Sequence, residues 1–150
     1  MKINLSKYAG FCPGVRRADG VVKEALNSGC KRVYTLGKLI HNRIYNEELA
    51  RLGAPSIDYE DVERIYNENP EEPMTLVIRT HGITKDKLSG LRDFKENHQN
   101  FTLIDSTCPF VKKIHDIAEE NTNENTVFLL FCDPKHPEAI GTMSYAKGEK

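Results

Sequence analysis

The sequence predicts an α/β fold, a parallel sheet with flanking helices, and three observations predict it. Short β-rich runs alternate with amphipathic runs at helical spacing. The helical runs separating them are of roughly 10–15 residues, the length of a βαβ crossover. No internal repeat or low-complexity linker interrupts the alternation. Ile3 and Leu5 read as the start of a first strand. Val15, Ala18, Val21, Val22, Ala25 and Leu26 then recur on one helical face, with Gly29 placed to end that helix. Residues 32–36 read as a second strand. Asn42 reads as the N-cap of a helix carrying Ile44, Leu49 and Leu52, stopped by Gly53. Residues 54–73, acidic and rich in Asn and Pro, read as a loop with one or two short helical turns. Residues 74–78 form a third strand, and Thr84 can cap a helix with Leu88, Leu91 and Phe94 on one face. Residues 101–104 form a fourth strand, 109–120 a helix and 126–131 a fifth strand.

Composition sets the outer bounds. The 150 residues carry 21 Lys+Arg against 22 Asp+Glu, a formal net charge of −1, with 39% apolar residues. That is enough apolar side chain for a core and too even a charge for a nucleic-acid-wrapping surface. The longest apolar run, 127–132, is six residues, against about 20 for a bilayer-spanning helix. Met1-Lys2-Ile3-Asn4-Leu5 has no long apolar stretch of the secretory kind, so the cytoplasm is the expected compartment, with no membrane and no nucleic acid as partners. The four cysteines, Cys12, Cys30, Cys108 and Cys132, form no Cys-x-x-Cys pair. In a reducing compartment they are buried small hydrophobes or ligands gathered by the fold.

Position separates those alternatives. Cys12 follows the first expected strand, His41 the second, His81 the third, Cys108 the fourth, and His136 with Glu138 the fifth. In a parallel sheet all five loops leave the carboxyl edge, where open α/β sheets bind ligands. Cys12 and Cys108 each precede a Pro at the mouth of a helix, where the positive helix end favours thiolate, the form that ligates soft metals and iron–sulfur clusters. Cys30 lies at the opposite edge and reads as core or surface filler, and Cys132 reads as core. Three imidazoles beside helix N-termini make a cradle for phosphate or diphosphate, or a zinc site. Glu138 is either a proton donor in a partly dry pocket or a helix-start charge favoured by the macrodipole. His98 and His115 lie on polar helical stretches and read as solvated.

The motifs carrying these residues resemble a known family. Gly10-Phe11-Cys12-x-Gly14-Val15-x-Arg17-Ala18, Ile40-His41-Asn42, Thr80-His81-Gly82, Asp105-x-Thr107-Cys108-Pro109-x-Val111 and His136-Pro137-Glu138-x-x-Gly141-Thr142 occur in the order seen in 4-hydroxy-3-methylbut-2-enyl diphosphate reductases, the LytB/IspH family. The resemblance covers essentially the whole chain. It implies an enzyme of the last step of the non-mevalonate isoprenoid pathway, yielding isopentenyl and dimethylallyl diphosphate from an allylic diphosphate substrate. It implies a 4Fe–4S cluster on three cysteines, of which Cys12 and Cys108 match two; the third is expected outside this chain. His41, His81 and His136 match the histidines around the substrate, and Glu138 the acid that delivers protons. A ferredoxin- or flavodoxin-type electron donor would be usual. The family fold has three similar lobes, so residues 1–107 are expected to form the first and 108–150 to open the second. Family members are about twice this length, and the 150 residues alone are expected to be an inactive N-terminal portion. Pro13 departs from the alanine or phenylalanine more usual there, and 132–135 are less glycine-rich than in the family. A non-catalytic phosphate- or metal-binding lobe, and a thiol redox protein pairing Cys12 with Cys108, are the competing readings.

Overall fold

The computed structural model describes residues 1–7 and 9–148. In chain order these form α1 (Pro13–Asn27), β1 (Arg32–Leu36), α2 (Arg43–Arg51), β2 (Ser56–Ile57), a 3₁₀ turn (Tyr59–Asp61) and α3 (Val62–Glu68). They continue with β3 (Met74–Ile78), α4 (Lys85–Asn97), β4 (Phe101–Asp105), α5 (Pro109–Glu120) and α6 (Pro137–Tyr145). The strands form one sheet in the order β2-β1-β3-β4, and every pairing is parallel. The register aligns the strand ends: Leu36 pairs with Ile57 and Ile78, and Ile78 with Asp105. The loops that follow therefore start level with one another along one edge.

Alternation along the strands sends side chains to two cores. Leu36, Leu76 and Ile78 face Val62, Tyr66 and Leu91, so α3 and α4 cover one face. Val33 and Val77 face Ala18, Val22, Leu39 and Leu49, so α1 and α2 cover the other. With helices on both sides β3 is buried at all five positions, as expected of a central parallel strand. Gly29 and Gly53, with φ of 85° and 104°, take the left-handed turn at the helix ends where the sequence placed stops. Asn42 caps α2 by accepting from Tyr45 N at 3.0 Å.

One charged residue belongs to the core. Arg32, at the first position of β1, is buried, and its guanidinium donates to the carbonyls of Asn69 (2.5 Å), Glu72 (3.2 Å), Tyr66 (3.4 Å) and Ile65. It thereby adds a donor to carbonyls at the end of α3, where Tyr66 O and Asn69 O also accept from Asn69 N and Glu72 N.

Two expected strands do not form. Residues 1–6 hold no regular structure, and Met1, Ile3 and Leu5 are exposed. In 126–131 only Val127 makes an isolated bridge, and Val127, Leu129 and Phe131 are exposed. A strand is held by its ladder, and β-prone letters without a paired neighbour do not supply one. Where a loop with helical turns was expected, 54–73 adds β2 to the sheet edge and the short α3. Beyond 131 the chain forms α6, which packs on α5 and α4. The outer face of α5 (Phe110, Ile114, Ile117) and the 127–131 run leave apolar side chains in water. No helix among the described residues is long and apolar enough to cross a membrane.

Candidate functional site at the carboxyl edge of the sheet

Each loop at the carboxyl edge is tied to the next. After β1, Asn46 pins the 39–42 segment: Leu39 N donates to its Oδ1 at 3.1 Å, and its Nδ2 donates to the carbonyls of Ile40 (2.7 Å) and Asn42 (2.6 Å). His41 stands between those two carbonyls. The hydroxyl of Thr80, after β3, donates to Leu39 O at 2.8 Å. Thr80 O in turn accepts from Cys108 N at 2.9 Å. After β4, Asp105 Oδ1 accepts from Thr107 N (2.9 Å) and Thr107 Oγ1 (2.5 Å), an Asx-type turn leading into Cys108. Arg17 of α1 donates to Thr107 O at 2.9 Å. The segments carrying His41, His81 and Cys108 are therefore held mainly by side-chain hydrogen bonds to their backbone, although they are loops.

The two Cys-Pro pairs converge. Cys12 is the N-cap of α1 and Cys108 the N-cap of α5, each followed by Pro at the first helical position. Neither helix start receives a side-chain cap, so its free amide donors and positive end face the cap residue. A Cβ on Gly14, in the first turn of α1, would stand only 2.8 Å from Cys108 Sγ. The missing side chain at Gly14 is what admits the sulfur against the helix that Cys12 begins. Both thiols are free, Cys12 exposed and Cys108 half-buried. Phe11 packs edge-on against Tyr45 of α2, with ring centroids 5.2 Å apart, which anchors the segment before Cys12.

The three histidines also meet. Ring centroids lie 4.2 Å apart for His41–His81, 5.4 Å for His41–His136 and 6.0 Å for His81–His136. His136 is the N-cap of α6, and its Nδ1 accepts from Glu138 N at 3.3 Å. The neutral ring therefore carries its proton on Nε2. Glu138 is half-buried in the first turn of α6. Burial, with the neighbouring charges of His41, Arg79 and His136, lowers the pKa of His81 from 6.5 to about 4. Among the described residues, no group of three or more His, Cys, Asp or Glu is arranged to hold a metal ion.

That lowered value fixes the sign of a pH effect. Between about 4 and 6.5 the unfolded chain binds a proton at His81 that the folded chain does not, so stability falls as pH drops through that window. His115 is shifted in the same direction by burial. The urea midpoint is expected to fall from pH 7 to pH 5 and to fall less in His81→Asn; a midpoint flat over that range in the parent protein would contradict the assignment.

The structure corrects five placements read from the sequence. Cys12 and His136 reach the rim as helix N-caps rather than after strands one and five, which do not form. His115 is buried, stacked on Tyr145 with centroids 4.3 Å and planes 13° apart. Val111, His115 and Ala118 line the buried side of α5, and their i, i+4, i+7 spacing is the sequence signal that could have placed His115 there. His98 is half-buried, stacked on Phe94 at 3.9 Å with its Nδ1 2.7 Å from Phe94 O. Cys132 is exposed rather than core, because the strand that would have buried it is absent. Cys30 is half-buried at the far edge, its thiol donating to Pro73 O at 3.3 Å.

An all-parallel sheet with two helix-capping thiols and three imidazoles at its carboxyl edge defines an α/β protein with its chemically capable side chains at the edge where open α/β sheets bind ligands. The chain belongs to the LytB family: the family model described as "LytB protein" matches residues 3–150. It is 43% identical to the 4-hydroxy-3-methylbut-2-enyl diphosphate reductase of Campylobacter hominis over 99% of this chain and 48% of that protein. It is 36% identical to the Aquifex aeolicus protein of the same name, over 97% of this chain and 46% of that one. A solved structure of (E)-4-hydroxy-3-methyl-but-2-enyl diphosphate reductase, the terminal enzyme of the non-mevalonate pathway, matches with a TM-score of 0.73 at 34% identity. That match covers 98% of this chain and 50% of the other. The Plasmodium falciparum reductase matches with a TM-score of 0.67 at 28% identity, covering 93% of this chain and 40% of its own. The chain spans about half the length of the curated relatives it matches.

Proposed function

We propose that this chain supplies the diphosphate-binding, proton-donating part of a cytoplasmic iron–sulfur reductase acting on 4-hydroxy-3-methylbut-2-enyl diphosphate. The overall change adds two electrons and two protons to the allylic alcohol, breaks its C–O bond, releases water, and leaves isopentenyl or dimethylallyl diphosphate. The electrons come from a ferredoxin- or flavodoxin-type donor. Residues 1–107 are the first lobe in this reading, and 108–150 open a second that the rest of the protein completes.

The observation that carries the reading is the meeting of His41, His81 and His136, with rings 4.2–6.0 Å apart, at the edge that also holds Cys12 and Cys108. Imidazole N–H groups beside the N-terminus of α6 suit the oxygens of a diphosphate. The low pKa of His81 leaves it neutral at pH 7, so it binds as a hydrogen-bond donor while adding no repulsion to its neighbours. Approach of an anion favours the charged form of His81, so its contribution to affinity rises as pH falls toward 4. Glu138, held beside His136, is positioned to keep and release a proton near the group that leaves.

The donor chemistry also fits a 4Fe–4S cluster: two free thiols stand at uncapped helix starts, and Gly14 leaves space at the Cys108 sulfur. Cys12 and Cys108 would hold the group, with a third cysteine from outside this chain; when bound, it supplies electrons to the substrate carbon–oxygen bond. Cys30, at the far edge of the sheet, and Cys132, outside any Cys-Pro helix start, are not ligands in this reading.

Calorimetry with inorganic pyrophosphate tests the cradle. His41→Ala, His81→Ala and His136→Ala are each expected to weaken binding by about 10- to 100-fold, the value of a hydrogen bond to a charged group. Unchanged affinity in all three would remove the proposal.

A further inference from the structure

A fourth imidazole lies behind the rim. His115 is buried to 3% exposure, and its Nε2 has no hydrogen-bond partner. For packing alone an apolar side chain would serve better, because a buried polar atom left unpaired lowers stability. The ring is instead enclosed by backbone from the two segments that carry site residues. A Cβ on Gly82 would stand 2.9 Å from His115 Cε1, and a Cβ on Gly141 would stand 3.3 Å from Nε2. Gly82 closes the turn that presents His81. Gly141 belongs to α6, whose first turn presents His136 and Glu138. The Tyr145 ring, at the last position of α6, closes the flat face of the imidazole. The methyl of Thr107, the residue before Cys108, stands 3.1 Å from the same Gly82 position.

We infer that His115 is a positioning residue: its ring is the shared spacer that sets how far the His81 turn stands from the helix bearing His136 and Glu138. Bare glycines on both sides make the spacing depend on the ring itself, since no flexible side chain can give way. Burial opposes the charges of Asp116 and Asp105 and disfavours the imidazolium, so the spacer stays uncharged near neutrality. The inference deepens the diphosphate-cradle reading, but its measurement needs no ligand.

The test uses the histidine ring resonances of this chain at fixed pH. Gly141→Ala adds a methyl against Nε2 while favouring the helix, so the fold survives. It is expected to shift the His81 and His136 rings and alter the magnetisation transfer between them. Gly20→Ala, a helical position with nothing within 4 Å of an added Cβ, is the control and should move neither. In a His115→Ala background the Gly141→Ala shifts should vanish, and His115→Ala alone should lower pyrophosphate affinity about tenfold. Folded Gly141→Ala with both rings unmoved, or the same shifts with His115 removed, would overturn the inference. Ring shifts through His115 in a protein that binds no pyrophosphate would uphold the spacer and defeat the cradle.

Discussion

Cys12→Ser and Cys108→Ser are each expected to abolish tight binding of a thiophilic ion such as Cd²⁺ by this chain. Two thiolates chelate such an ion, and losing either leaves a single sulfur. The loss should be at least tenfold, about 1.4 kcal/mol or more, read from the thiolate-to-metal absorption in the ultraviolet. Cys30→Ser and Cys132→Ser should leave it unchanged, because those sulfurs lie elsewhere. Gly14→Ala is the sharper variant. Alanine favours the helix, yet its Cβ would stand 2.8 Å from Cys108 Sγ, a distance that forces the sulfur away. A folded protein with weaker Cd²⁺ binding is the expected combination. Equal binding in the parent and both Cys→Ser variants would show that the two Cys-Pro helix starts do not act as a pair.

The largest effect on stability is expected at Arg32. Its guanidinium donates to four carbonyls around the end of α3, while Glu72, its closest acid, is 4.0 Å away. Arg32→Ala removes those four contacts, leaving backbone donors only on the Tyr66 and Asn69 carbonyls, and removes a buried aliphatic stem; together the cost is about 3 kcal/mol. Breaking an exposed pair such as Lys23–Asp19 with Lys23→Ala should change stability by less than about 1 kcal/mol. Urea unfolding of the two variants makes the comparison. An Arg32→Ala loss below about 1 kcal/mol would mean that water replaces the guanidinium at α3.

Arg32 also illustrates where the sequence is mute. Its position at the start of a β-rich run identified the strand, but burial of the charge depends on α3, a short helix in a segment whose letters are acidic and irregular. The residues of the site were more legible than the elements around them. Cys12, His41, His81, Cys108, His136 and Glu138 stand in short motifs with Pro, Gly or a cap residue alongside, and such local chemistry survives errors of strand assignment. The strands expected at 3–5 and 126–131 failed for one reason: pairing is a long-range property, and neither segment has a ladder. His115 was legible by spacing and obscured by its polarity, since an imidazole on an apolar stripe reads as solvated until its neighbours are known. The contact between Gly14 and the Cys108 sulfur joins residues 94 positions apart, and no local pattern announces it.

The claim on which the rest depends is that one sheet edge gathers side chains from separate loops into a single ligand site. Titrating the chain with pyrophosphate while following its five histidine rings by NMR tests that directly. His41, His81 and His136 should shift together along one saturation curve, with His98, stacked on Phe94 in another part of the fold, unmoved. Shifts that follow different curves, or that appear at His98 and not at the three, would contradict it.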